Sequence, residues 1–314
     1  MSSSAESYAL SQMLANGPPY PARNAAFGGK PDDTIDVGVS AMFIVIFACL
    51  AATHMYLFKT NKAKGHFFIF SGVTFGFCMA RITTFAMRIA TAKNPENTQV
   101  AMAAGIFVSA GVLLLYIVNL NFTQRIVRSY HPRFGRSKPV VIAFAVYYVS
   151  VVCVLIMLIT ATVIGFYTLD TARLLKCRDI QRFGIIYFTV FSFMPIPLVL
   201  AARFIRTPAK AKFGKMGTTM HKVIIVIIAS LLLTLENAFR AAIAFLPPRP
   251  ITNPAWYHKR AAFYVFLPTL EVIVVILYAV ARVDQRMFEH GKAEREANTA
   301  NTSDEEKSRS GTEL

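Results

Sequence analysis

The chain has 314 residues, 55% hydrophobic and 16% charged, with a net charge of +16 and a mean hydropathy of +0.47. An average soluble domain carries about 25% charged residues. A water-surrounded core of this length cannot hide so much apolar surface, which excludes a soluble enzyme, a disordered chain and a disulfide-stapled secreted scaffold. The basic excess lies between long apolar runs, so it reads as membrane-facing loops and not as a nucleic-acid interface.

Seven apolar stretches reach the ~20 residues that a helix needs to cross a roughly 30 Å hydrocarbon layer. They lie at about 37–58, 67–92, 100–122, 139–166, 184–205, 222–246 and 261–281. None shows the short alternating pattern of a barrel strand. The expected fold is therefore an all-α membrane protein with seven transmembrane helices. Residues 1–36 form a polar N-terminal segment, 37–282 the helical domain and 283–314 a charged tail.

In chain order, the N-terminal segment lacks an apolar h-region, so no cleavable signal peptide is expected. The first span holds Cys49 and His54, the latter read as a packing residue. The second carries Arg81, Thr84 and Arg88 at i, i+3 and i+7, a single polar stripe. It also has Gly72 and Gly76 at small-xxx-small spacing, which the third span repeats in Gly105 and Ser109. Asn119 and Asn121 near the end of the third span read as helix-to-helix hydrogen bonds. The connection 167–183 is expected to be a loop, holding Arg173, Lys176, Cys177, Arg178 and Arg182.

Pro195 and Pro197 should bend the fifth span, because each removes an amide donor. The sixth contains Glu236 and Arg240, i, i+4 neighbours able to pair along their own helix. Trp256 and Tyr257, beside Lys259 and Arg260, make an interfacial anchor before the seventh. There Tyr264, Glu271 and Tyr278 share one face. The tail mixes both charge signs and is expected to be disordered.

Orientation follows from the basic residues outside the spans, where the cytosolic side carries the excess. The connections 59–66, 123–138 and 203–222, with the tail, hold 20 Lys and Arg; the opposite side holds 10. This bias predicts the N-terminus outside and the C-terminus in the cytosol, against the dissent of the basic 167–183 connection. The cytosolic surface would carry Arg125, Arg128, Arg133, Arg136, Lys210, Lys212 and Lys215. Anionic lipid headgroups are its expected contacts, and any cytosolic protein partner is unidentified.

Five ionisable residues fall inside spans, where each costs at least about 2.5 kcal/mol near the bilayer centre and usually faces the bundle interior. They are Arg81, Arg88, Glu236, Arg240 and Glu271. The simplest accounting pairs Arg81 with Glu271 and Arg240 with Glu236, leaving Arg88 as an extra positive charge near the outer mouth. With Tyr264, these residues form the candidate ligand-binding set. Three roles compete: interhelical pairing that fixes register, a polar site for an anionic or amphipathic ligand, and proton coupling through a carboxylate.

Span 7 has no Lys for a retinal Schiff base, and no HExxH, Walker loop or dinucleotide fingerprint occurs. Enzymatic activity, a cofactor and a metal are not expected. Several unusual strings remain: FGFCMARITT (75–84), AGVLLLYIVN (110–119), YHPRFG (130–135), FYTLD (166–170), RDIQRFG (178–184), LPPRP (246–250), PAWYHKRAAFYVF (254–266) and RVD (282–284).

On these strings, from about residue 36 to 288, the chain resembles a family of fungal membrane proteins known as domain of unknown function 3112. The resemblance implies a polytopic protein of a fungal plasma membrane or endomembrane and supplies no substrate or catalytic residue. Fungal lipid-translocating exporters of the RTA-like group and fungal G-protein-coupled receptors share the span number only by analogy. The receptor signatures are missing, since the third span ends in NFTQR and the seventh lacks Asn-Pro-x-x-Tyr. The expected function is receptor-like binding of a small lipid-like molecule. The alternatives are translocation of such a molecule and a structural role without ligand.

Overall fold

A computed structural model describes residues 11, 13–15, 17–21, 24–205, 213–214 and 216–288. The expected disorder of the tail beyond 288, and the basic residues Lys210, Lys212 and Lys215, lie outside the described residues. Seven helices are long and apolar enough to cross a membrane. They are α1 (Ile35–Ala63), α2 (Ile69–Lys93), α3 (Thr98–Tyr130), α4 (Lys138–Tyr167), α5 (Thr171–Phe204), α6 (Thr219–Phe245) and α7 (Arg260–Val280). Among the described residues, extended pairing is limited to an isolated bridge between Asn24 and Pro250. The chain is an all-helical, multi-pass membrane protein.

Connections are short and carry local stop signals. Gly65, at φ +75°, turns the chain after α1. Asn97 caps α3 by accepting a hydrogen bond from the Val100 amide at 3.2 Å. Asp170 does the same for α5 through the Ala172 amide at 3.0 Å. That cap starts α5 at Thr171, so most of the expected 167–183 loop is helix. Cys177 is buried on it, and Arg178 and Arg182 sit one turn apart on one face. The high charge density of this stretch had masked a helical period.

Three spans deviate from regular geometry, each for an identifiable reason. In α5 the helix breaks at Met194, immediately before Pro195, as the missing proline amides require. In α7 a π turn covers Val265–Thr269 around Pro268, and the Thr269 hydroxyl donates to the freed Tyr264 carbonyl at 2.8 Å. In α3 the helix breaks at Val112, after buried Gly111. Here a charged side chain from α2, Arg81, reaches the carbonyls of Val108 at 3.0 Å and Phe107 at 3.4 Å. Insertion of a donor into the carbonyl ladder is a known cause of such breaks.

The apolar stretches of α6 and α7 are each 50% buried within the protein, against 17% for α4. Hence α6 and α7 form the centre with α2, and α4 lies at the periphery. Val146, Val149 and Ile156 of α4 are exposed, as expected of side chains that face lipid tails. The interior is rich in aromatic rings: Phe43 stacks on Phe85 and Tyr264, with centroids 5.3 and 5.7 Å away. The expected glycine spacings hold in part: a Cβ on Gly72 would lie 3.6 Å from the Phe58 ring of α1, whereas one on Gly76 or Gly105 would meet nothing within 4 Å. A tighter approach joins α4 to α5, where a Cβ on Gly184 would collide with Leu158.

Both ends of the bundle are closed by ordered chain. At the end where α1 begins, hereafter the near end, residues 24–31 fold over the helix termini. Phe27 packs edge-on between Phe239 and Phe263. Gly28 makes this possible, because it has φ +88° and a Cβ there would lie 2.8 Å from the Phe263 ring. At the far end, residues 283–288, expected as the start of a free tail, are tied down. The Asp284 carboxylate accepts from Asn61 at 2.9 Å and from Arg282 at 3.1 Å, and the Met287 carbonyl accepts from Arg125.

Candidate functional site

The near end concentrates one hydrogen-bonded cluster around Asp36. This residue lies in the first turn of α1 and is fully buried. Its Oδ1 accepts from Arg88 Nη2 at 2.7 Å and from the Tyr264 hydroxyl at 2.7 Å. Arg260 approaches Oδ2 at 3.1 Å, and Ser40 sits 3.1 Å from the Tyr264 oxygen. Arg88 also donates to the Gly28 carbonyl at 2.8 Å and lies over the Phe263 ring at 4.5 Å. Arg88 is therefore not the unpaired charge that the sequence reading left at the mouth. Its partner was overlooked because Asp36 stands one residue outside the apolar window, in the segment counted as polar.

Deeper in the bundle, Arg81 of α2 and Glu271 of α7 form the expected ion pair, and neither side chain is accessible. Glu236 and Arg240 do not pair. Arg240 donates to Ser109 Oγ at 3.2 Å, and neither carboxyl oxygen of Glu236, which is fully buried, has a hydrogen-bond partner. The i, i+4 spacing allowed that pair, but the arginine extends instead toward a cavity beside α3. The neighbouring Asn237 donates to the Tyr116 hydroxyl and to the Leu233 carbonyl. Farther down, Asn119 donates to Ser230 at 2.6 Å and accepts from Tyr278 at 3.4 Å, a helix-to-helix contact as expected.

The cavity that receives Arg240 has a volume of about 880 Å³, within the range of small-molecule sites. Its walls come from α2 to α6, with residues of the 21–31 segment and the connection before α7 over its near end. Leu155, Leu158 and Ile159 of α4 with Ile185 and Phe188 of α5 supply apolar surface. Among the described residues, Lys30, Arg88, Arg178, Arg182 and Arg240 are its basic residues, and no Asp or Glu lines it. His258 stands at the rim, where burial and then the charge of Arg249 hold its imidazole below the ordinary histidine range. Arg178 and Arg182, assigned to a loop by the sequence, thus belong with Arg240.

Of the six candidate residues, the structure places Arg88 and Arg240 on the cavity wall. Arg81 and Glu271 are packed behind it, Glu236 is buried beside Asn237, and Tyr264 belongs to the Asp36 cluster. Among the described residues no group of three or more His, Cys, Asp or Glu could hold a metal ion. The family described as "Protein of unknown function (DUF3112)" matches residues 132–219 and 214–288. These segments take in half the chain, beginning after α3 and not at residue 36. No curated protein and no solved structure matches.

Proposed function

The chain belongs to the family of unknown function DUF3112, which brings no activity with it, and we propose from the geometry that it is a receptor-like protein binding a lipid-like, amphipathic small molecule. The observation that carries this reading is the 880 Å³ cavity, which has an apolar wall on α4 and α5 and polar side chains on α5 and α6. Sites for such ligands combine a largely apolar lining with a few convergent polar groups. The function assigned is binding, with no catalytic step. In the orientation favoured by the basic loops, the N-terminus is outside and the cavity lies in the outer half of the bundle.

Translocation of the same molecule is the competing function, and it needs a path open alternately to both sides. The ordered segments at both ends favour a closed binding pocket. The test is binding of tritiated palmitate to purified protein in nanodiscs, compared with Gly105→Phe. Gly105 lines the cavity and has open space at its Cβ, so the larger side chain should fold and obstruct part of the pocket. Saturable binding that Gly105→Phe weakens is expected; binding unaffected by it removes the cavity reading. Protein-dependent flipping of labelled lipids in liposomes would replace the receptor with the translocator.

A further inference from the structure

Resting on that reading of the cavity, we propose that the ligand's polar end is an oxyanion, a carboxylate or phosphate, held between Arg178 and Arg182 of α5 and Arg240 of α6. Among the described residues, the cavity lining has five basic residues and no carboxylate. Arg88 is excluded because Asp36 already neutralises it at 2.7 Å. The other guanidiniums are far less committed. Among the described residues neither Arg178 nor Arg240 has an ion-pair partner, and the buried Nε of Arg178 has no hydrogen-bond partner. Arg240 has one hydrogen bond, to the Ser109 hydroxyl, and its charge interacts with the Glu236 and Glu271 carboxyls without direct contact. Arg182 donates its Nε to the Ala244 carbonyl at 2.9 Å, while its carboxylate neighbour Asp179 is 3.7 Å away and largely exposed.

A guanidinium has five donors in a planar fork suited to carboxylate or phosphate oxygens. Partly buried positive charges in an apolar enclosure favour a counter-charge in direct contact, and the described residues of the cavity wall supply no carboxylate. The Ala244 bond holds Arg182 against α6, one turn from Arg240 along that helix. The three cations therefore converge from two helices, with Leu155, Leu158 and Ile185 lining the rest of the space for an apolar chain.

The experiment compares probes in phosphatidylcholine nanodiscs by displacement of tritiated palmitate. Palmitate and lysophosphatidic acid should bind at least about tenfold more tightly than 1-hexadecanol, since charge-assisted hydrogen bonds to a fixed guanidinium are worth that factor or more. Inorganic phosphate at millimolar concentration should not displace palmitate. In the Arg178→Gln/Arg240→Gln double variant the margin between palmitate and hexadecanol should disappear.

Hexadecanol binding as tightly as palmitate to the unaltered protein overturns the oxyanion site and leaves the amphipath cavity standing. That comparison needs no variant to fold. Displacement of palmitate by inorganic phosphate as effectively as by lysophosphatidic acid keeps the oxyanion site and shows that the apolar chain adds nothing to binding, which overturns the lipid-like ligand. Binding of no probe overturns both.

Discussion

Arg81 and Glu271 lie 190 residues apart in sequence and join α2 to α7 with neither side chain reaching solvent. The same guanidinium enters the broken carbonyl ladder of α3 at Val108. One arginine thereby fixes the relative position of three helices. Removing one partner of such a pair strands a charge in low dielectric and costs about 3–5 kcal/mol.

Glu271→Leu should accordingly lower the thermal midpoint in detergent sharply, and Arg81→Leu should do the same. The double variant Arg81→Leu/Glu271→Leu should recover much of the loss, because it strands no charge. Equal instability of the double and single variants, read by size-exclusion melting, would show that the ion pair is not the cause.

Glu236 is the contrasting carboxyl. Neither of its oxygens has a hydrogen-bond partner, so Glu236→Gln breaks no bond, and its effect on the melting midpoint should stay within about 1 kcal/mol. A loss as large as that of Glu271→Leu would mean that Glu236 is held by a partner after all.

Asp36 neutralises Arg88 at the near end and accepts from Tyr264. Asp36→Asn should destabilise by about 3 kcal/mol through the stranded arginine. Tyr264→Phe removes a hydroxyl bonded to Asp36 and Arg88 and should cost about 1.5–3 kcal/mol, the scale of a hydrogen bond to a charged group. Tyr264→Phe proving the more damaging of the two would contradict the arrangement around Oδ1.

Gly28 combines a left-handed backbone with contact to the Phe263 ring. Gly28→Val is expected to release the segment over the cavity, seen as faster amide exchange across residues 24–31 with little change in α6. Unchanged exchange there would show that the segment is held without this glycine.

At the far end, the burial of Asp284 works against its ionised form, but the hydrogen bonds from Arg282 and Asn61 outweigh it and hold the carboxyl below its ordinary value of 3.8. A carboxyl depressed in the folded state stabilises that state above its unfolded pKa. The contribution disappears as pH falls through the lower folded value. The protection of residues 283–288, exchange measured against the intrinsic rate at each pH, should thus be flat from neutral pH down to about 4 and fall below it. Asp284→Asn should remove that step.

The helices themselves were legible from local chemistry. Segments as apolar as 139–166 have no option other than spanning lipid, and Pro195 locates the break in α5 from its missing amide alone. The fifth helix was half hidden, because Asp170, Arg173, Lys176, Arg178, Asp179 and Arg182 read as a polar connection. Its cap at Asp170 was the available signal. The bend at Pro268 was equally available and passed over.

Partner choice was legible only in part. Arg81 and Glu271 stood out because buried opposite charges in different spans must find each other. For Arg240, the near neighbour on its own helix was the obvious partner and the wrong one. Arg88 was matched to an aspartate 52 residues away that sat just outside its apolar stretch.

From sequence alone, hydrophobicity decided the number and type of the elements, since the cost of placing bare backbone or charge in hydrocarbon is set residue by residue. The cavity, the positive sign of the charges on its described wall and the missing hydrogen-bond partner of Glu236 were decided only by tertiary structure. Those properties depend on which side chains from distant helices converge, and rotation of one helix by a single residue would redistribute them without altering its hydrophobicity.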